Sequence, residues 1–224
     1  MMILNIAMDG PVGAGKSSIA DAAAKALGIL HLDTGAMYRA LGLAAIRSGI
    51  SLEDEAAVTA LAQQVDISVA YGESGQRTFV DGEDVTGLIR TPEVSMAASA
   101  VGRYAGVRRE MVALQQKLAA TTPMLVDGRD ICLRVLPEAP VKIFLTASAE
   151  ARARRRWLEM QQKGDTTPFE KVLEDLIARD AQDMNREVDP LRPTPDAVIL
   201  DTTELDFAQS VDAVLKIVKE KYHE

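Results

Sequence analysis

Ile3-Leu-Asn-Ile-Ala-Met-Asp-Gly10-Pro-Val-Gly13-Ala-Gly15-Lys16-Ser17-Ser18 contains three signals in a fixed order. Ile3 to Met8 is apolar at nearly every position, the pattern of a parallel strand buried on both faces. Gly10 to Ser18 fits G-x-x-x-x-G-K-[ST], a loop that cradles phosphate. Gly10, Gly13 and Gly15 let the backbone turn tightly and aim successive N–H groups at one point. Lys16 adds a mobile positive charge for the β- and γ-phosphates, and the Ser17 hydroxyl suits Mg²⁺. Ile19 to Leu27 is Ala-rich and helical, with Gly28 placed to end the helix. The positive end of that helix points at the same anion. Gly10, Pro11, Val12, Gly13, Ala14, Gly15, Lys16, Ser17 and Ser18 are therefore expected to bind a nucleoside triphosphate such as ATP.

Beyond this unit, strand-like apolar runs alternate with helical patterns, which predicts an α/β fold with a parallel sheet and helices on both faces. The expected strands are Ile3–Met8, Leu30–Leu32, Met124–Val126, Val141–Leu145 and Ala197–Leu200. Three of them run into Asp9, Asp33 and Asp127. Ligands of open α/β sheets bind outside the carboxyl ends of the strands, so these acids belong on the phosphate-loop side. Residues 61–90 break the alternation. Val65 to Val69 has a period of two, Gly72 to Gly75 reads as a turn, and Arg77 to Val80 as a returning strand before Asp81-Gly82. This is a small antiparallel hairpin region, either functional or a surface decoration. Residues 166–186 read as one helix. Thr167, Pro168 and Glu170 suggest a capping box with Pro first in the helix, and Phe169, Val172, Leu173, Leu176 and Ile177 suggest its apolar stripe. Arg179, Asp183 and Arg186 would share another face.

The chain has 224 residues, 47% apolar and 26% charged, enough for one sizeable core with insertions. Its net charge of −8 argues against nucleic acid as a general partner. Arg152, Arg154, Arg155 and Arg156 nonetheless cluster, which suggests a binder of small anions. The single cysteine, Cys132, excludes an internal disulfide and suits a reducing compartment. His31 and His223 are far apart, and no Cys/His cluster suggests zinc. The apolar N-terminal run is too short for a secretory signal, and no run is long enough to span a membrane. The expected location is the cytoplasm, with a monomer acting on small molecules and no membrane partner.

A triphosphate site alone does not name a reaction. Asp33-Thr34-Gly-Ala-Met-Tyr38-Arg39 follows the second strand and Asp127-Gly-Arg129-Asp130 the third. Each sets an arginine near the carboxyl edge of the sheet. The planar fork of arginine donates two parallel hydrogen bonds to phosphate, so arginines from several elements would clamp a second phosphate and neutralise transferred charge.

With these motifs in view, the chain closely resembles the bacterial cytidylate kinases, nucleoside monophosphate kinases of the P-loop class. The resemblance runs essentially end to end. It rests on Asp9-Gly-Pro-x-Gly-Ala-Gly-Lys16, Asp33-x-Gly-Ala-x-Tyr38-Arg39, Gly82-Glu-Asp-Val-x-Gly87, Ile89-Arg90-Thr91, Asp127-Gly-Arg-Asp130, Ala139 to Leu145 and Arg179-Asp-x-x-Asp183-x-Asn185-Arg186. It implies phosphoryl transfer from ATP, with Mg²⁺, to CMP or dCMP. The implied architecture is a five-stranded parallel core (1–33, 100–149 and 187–224), an NMP-binding region with the hairpin insertion (34–99) and a lid (150–186). It also implies that Arg39, Arg129 and Arg186 grip the CMP phosphate, and that Ser99, Arg108 and Asp130 face the cytosine with Thr34 nearby. Arg179 and Asp183 would reach the ribose. Lys16, Arg129, Arg155 and Arg186 would be the catalytic set. The sequence departs from the family pattern in places. Ile131-Cys132-Leu133-Arg134-Val135 stands where Ile-Gly-Thr-Val-Val is usual, Thr34 where Ser is usual, and Gln182 and Met184 where arginines are frequent. Ser17-Ser18 replaces Gly-Thr, so either serine hydroxyl could serve Mg²⁺. The rival readings are another P-loop kinase, such as an adenylate or dephospho-coenzyme A kinase, and a non-catalytic nucleotide-binding module. The latter would leave the arginine motifs unexplained.

Overall fold

Five parallel strands form the central sheet in the order β2-β6-β1-β7-β8: β1 (Asn5–Asp9), β2 (Leu30–Asp33), β6 (Met124–Gly128), β7 (Val141–Thr146) and β8 (Val198–Asp201). The computed structural model describes residues 4–73 and 75–222. Of the sequence expectations, Ile3 in the first strand, Ser74 in the hairpin turn and His223 lie outside the described residues. All five expected strands are present, each running one or two residues further at its carboxyl end. The acids continue the ladder instead of ending it, with Asp9 opposite Gly128 and Asp33 opposite Asp127. The three acids therefore sit on one edge, as anticipated. Asn5, a polar residue in an apolar strand, is used to stitch its start: its side chain donates to Ala119 O (2.9 Å) and accepts from Met124 N (3.2 Å).

Helices cover both faces. α1 (Lys16–Leu27) and α8 (Phe207–Lys221) pack one face through Ile19, Ala20, Ala23, Val214 and Val218, against Ile6, Met8, Leu125 and Ile143. α2 (Thr34–Arg47), α3 (Glu55–Gln64), α4 (Pro92–Val101) and α5 (Ala105–Ala119) build the larger core on the other, around Met37, Leu41, Val58, Val107 and Met111. Asp33 caps α2 and Thr91 caps α4, each accepting a backbone N–H.

The hairpin region is a three-stranded antiparallel sheet: β3 (Ile67–Gly72), β4 (Gly75–Val80) and the short β5 (Glu83–Asp84). β3 begins later than expected because Val65 is spent ending α3, its N–H bonding Leu61 O. Gln76 of β4 accepts from Asp33 N (2.8 Å) and donates to Asp33 O (3.3 Å), tying the insertion to the end of β2.

α6 (Ala149–Gln162) and α7 (Phe169–Asn185) form a helical pair with its own small core of Ala153, Val172 and Leu176. Trp157 meets the Phe169 ring edge-on at 6.3 Å. The capping box expected at Thr167, Pro168 and Glu170 does not form. Thr167 turns both its N–H and its hydroxyl back to Asp165 Oδ1, and Pro168 becomes the cap, one residue later in the chain than expected. Ile177 is 50% exposed and lies off the stripe. Arg186 has extended backbone (φ −62, ψ 145) just past the helix, so it does not share a helical face with Arg179 and Asp183.

Candidate active site

The phosphate loop is shaped by close approach and left-handed backbone. At Gly10 (φ 154) a Cβ would lie 1.9 Å from Leu145 O, so no larger residue fits against β7. Gly15 (φ 83, ψ 10) caps α1 in the left-handed region, and no side chain covers the helix terminus. Its first N–H groups are thus left for an anion. Lys16 Nζ donates to Pro11 O at 2.7 Å. Burial, helped by the Arg129 charge and opposed by Asp127, Asp9 and Asp183, pulls the Lys16 ammonium down to about 7. An incoming phosphate would favour its charged form.

Ser17, not Ser18, reaches an acid: its hydroxyl donates to Asp127 Oδ2 at 3.0 Å. His31 Nε2 lies 2.7 Å from Asp127 Oδ1. Burial acts to raise the Asp127 carboxyl. The His31 hydrogen bond, the charges of His31 and Lys16, and the Ser17 hydroxyl outweigh it and hold the carboxyl below its usual range. A hydroxyl beside a buried carboxylate, both hard oxygen donors, fits Mg²⁺.

A cleft of about 660 Å³ opens from this loop. Every residue expected at the acceptor lines it: Thr34, Arg39, Ser99, Arg108, Arg129, Asp130, Arg179, Asp183 and Arg186. They come from α2, α4, α5, α7, the segment after β6 and the segment after α7. Several arginines are held by acids. Arg39 pairs with Asp33 (2.8 Å), Arg129 Nε with Asp183 Oδ2 (2.9 Å), and Arg108 with Asp130. Thr34 donates to Asp127 O (2.8 Å), and Ser99 to Gln182 Oε1 (3.3 Å), joining α4 to α7. Burial, with the Arg129 charge beside Arg179 and the Arg108 charge beside Arg186, lowers both Arg179 and Arg186. Burial raises Asp130 despite Arg108.

Four buried polar atoms of this cleft have no hydrogen-bond partner among the described residues: Tyr38 Oη, Arg39 Nε, Arg179 Nε and Arg186 Nη2. Leaving such groups unpaired costs on the order of 1–3 kcal/mol each, and unsatisfied donors gathered in one cleft point to a polar ligand. The sequence quoted Tyr38 in a motif but assigned it no role; its burial and lack of partner appear only in three dimensions.

One expectation about the arginine cluster needs correction. Arg152 is not an anion ligand. It is buried, donating to Ala147 O, to Val12 O (2.7 Å) and to Asp180 Oδ2 (2.6 Å), and so ties α6 to both α7 and the phosphate loop. Arg155 lines the cleft, but its guanidinium is engaged by Thr202 Oγ1, Thr202 O and Leu205 O after β8. Arg156 lines the same cleft, and among the described residues no ion pair engages it.

The sequence profile of the cytidylate kinase family matches residues 6–220. The chain belongs to the cytidylate kinase family. This family member is 46% identical over 217 residues to the cytidylate kinase of Caldicellulosiruptor bescii, covering 97% of this chain and 96% of that protein. It is 47% identical over 218 residues to that of Desulfitobacterium hafniense, covering 97% and 94%. Among solved structures, an uncharacterized protein from Eubacterium ventriosum superposes with a TM-score of 0.54 at 11% identity, over 96% of this chain and 98% of that one, a likeness of fold.

Proposed function

We propose that this chain transfers the γ-phosphate of ATP to CMP or dCMP, giving ADP and CDP or dCDP. The observation that carries the reading is the set of unpartnered guanidinium and phenol atoms of Tyr38, Arg39, Arg179 and Arg186 in the cleft that also holds the phosphate loop. One phosphate site faces another, so the acceptor is itself a phosphate ester. Its oxygen is already anionic and needs no general base. The work left to the protein is alignment and charge stabilisation. In this reading Lys16 and the α1 terminus hold the donor phosphates. Arg39, Arg129 and Arg186 clamp the acceptor phosphate. Ser99, Arg108 and Asp130 read the base, and Arg179 and Asp183 the ribose. Arg155 is proposed to shape the donor side from its carbonyl anchors. Ser17 and Asp127 would hold Mg²⁺, which screens charge between phosphate oxygens when bound.

The same reading makes residues 34–99 the acceptor-binding region and 150–186 the lid, carried on a core of 1–33, 100–149 and 187–224. The lid would exclude water from the transferred phosphate. No helix among the described residues is long and apolar enough to cross a membrane. We place the enzyme in the cytoplasm, as a monomer acting on small molecules. A phosphotransfer panel with AMP, CMP, dCMP, UMP and shikimate tests the assignment. Fastest turnover with CMP and dCMP is expected; preference for AMP or shikimate would overturn it.

A further inference from the structure

Two charged residues outside the cleft form a chain that ends on arginines inside it. Asp189, just after α7, has a left-handed backbone (φ 49), uncommon for a residue other than glycine though tolerated by aspartate. Its carboxylate is buried, with 7% of the side chain exposed. One oxygen accepts from Arg108 Nε (3.2 Å) and the other from Arg134 Nε. Its backbone carbonyl accepts from Arg186 Nε at 2.6 Å. A single residue thus holds Arg108 by its side chain and Arg186 by its main chain. Arg134 braces the far side. Its own N–H bonds Asp130 O (2.8 Å), and its carbonyl accepts from Gln116 of α5 (2.9 Å). Neither Arg134 nor Asp189 lines the cleft. Arg134 also falls in the stretch that departs from the family pattern, where valine is usual.

We propose that Arg134 and Asp189 are positioning residues for acceptor recognition. Arg134 fixes Asp189, and Asp189 fixes Arg108 and Arg186 together, coupling base reading to phosphate grip. This deepens the proposed function and rests on Arg108 and Arg186 meeting the acceptor nucleotide. Without the brace, Arg108 keeps Asp130 and the Gly102 carbonyl but loses the bond that sets the direction of its Nε edge. Affinity and base selectivity would then fall while the donor site is untouched.

Steady-state kinetics on the full chain test this, with Arg134→Ala, Asp189→Asn, the double variant and Arg134→Lys. Arg134 is more than half exposed, so its removal should not unfold the protein; Asp189→Asn keeps volume and tolerates the left-handed backbone. Each single variant is expected to raise KM for CMP about ten-fold, the scale of coupling within one charge network, with KM for ATP unchanged. The preference for CMP over UMP should narrow. The double variant should be no worse than the worse single one, because the residues act in series, and Arg134→Lys should recover part of the loss. Parental KM for CMP in Arg134→Ala and Asp189→Asn would overturn the brace while leaving the function standing. Equal rises for CMP and ATP would also overturn it. A parent that does not turn over CMP would overturn both.

Discussion

Lys16 is buried, donates to the Pro11 carbonyl and is pulled down to about 7, which marks it as a group waiting for an anion. Lys16→Ala is expected to slow phosphotransfer by about 10²–10³, the cost of one charge stabiliser in a closed site. Near-normal turnover with an unchanged circular dichroism spectrum would remove it from the mechanism. Arg129 presents its Nε to Asp183 and Nη1 to the Gly128 carbonyl. Arg129→Lys keeps the charge and loses the fork. Calorimetry should find CMP binding weakened roughly ten- to a hundred-fold, the scale of a charged hydrogen bond, with ATP binding nearly unchanged. Equal CMP affinity in both forms would contradict the clamp. Asp130 is the proposed discriminator of cytosine from uracil, because a carboxylate accepts from the exocyclic amine and repels a carbonyl at the same ring position. Asp130→Asn should narrow the ratio of specificity constants for CMP over UMP. An unchanged ratio would move selectivity to Ser99 or Arg108. Lys16, Arg129 and Asp130 were readable in the sequence because each follows a strand, whereas Ser99 and Arg108 lie within helices and were named only through the family resemblance. Their partners were not: Asp183 for Arg129 and Asp189 for Arg108 lie 54 and 81 positions away.

The turn after β6 shows what element-level reading reaches and where it stops. The apolar strand and its terminal acids follow from composition alone. Residues 131–135, which break the family pattern, fold as a single π-helical turn capped from another strand. Asp9, the last residue of β1, accepts Ile131 N (2.8 Å) on one oxygen and Cys132 N (2.9 Å) on the other. Nothing within five residues of either signals this, since the bond spans 122 positions. The missed cap of α7 has a similar origin: Thr167 had a local competitor in Asp165, and the nearer acid won. Burial raises Asp9 to about 6 despite the two N–H donors. A carboxyl raised in the folded state contributes stability that is present below about 4 and lost as pH rises through about 6. A shift of this size corresponds to about 3 kcal/mol. Urea titrations between pH 4 and pH 7 should show the parent losing stability relative to Asp9→Asn across that window. Asp9→Asn itself should cost about 1–3 kcal/mol near pH 4.5, because the amide nitrogen sets a donor against one of the two N–H groups, where the neutral acid keeps a hydroxyl oxygen that can accept. Parallel curves for the two proteins would mean that Asp9 is ionised throughout.

At the scale of the whole molecule, an acidic chain of net charge −8 carries a cationic cleft whose charge its own acids only partly offset. Asp33, Asp183, Asp130 and Asp189 hold Arg39, Arg129 and Arg108, while Tyr38, Arg179 and Arg186 keep unpaired donors. These side chains come from three bodies of the fold: the helices beside the larger core, the sheet edge and the α6–α7 pair. A ligand that satisfies them at once binds the folded state and no part of the unfolded chain, so it must stabilise the whole. At a hundred times its dissociation constant CMP should add about 2.7 kcal/mol. For a domain of this length that raises the melting temperature by roughly 5–11 °C. UMP and AMP at the same concentration should give clearly smaller shifts, since the phosphate grip is common to all three and the base contacts are not. Arg129→Lys should lose most of the CMP shift while keeping that of a non-hydrolysable ATP analogue, because the phosphate loop and α1 are untouched. The informative failure is a shift of equal size from CMP, UMP and AMP. Such a result would leave the cleft as a phosphate site without a base reader, and Ser99, Arg108 and Asp130 as structure alone.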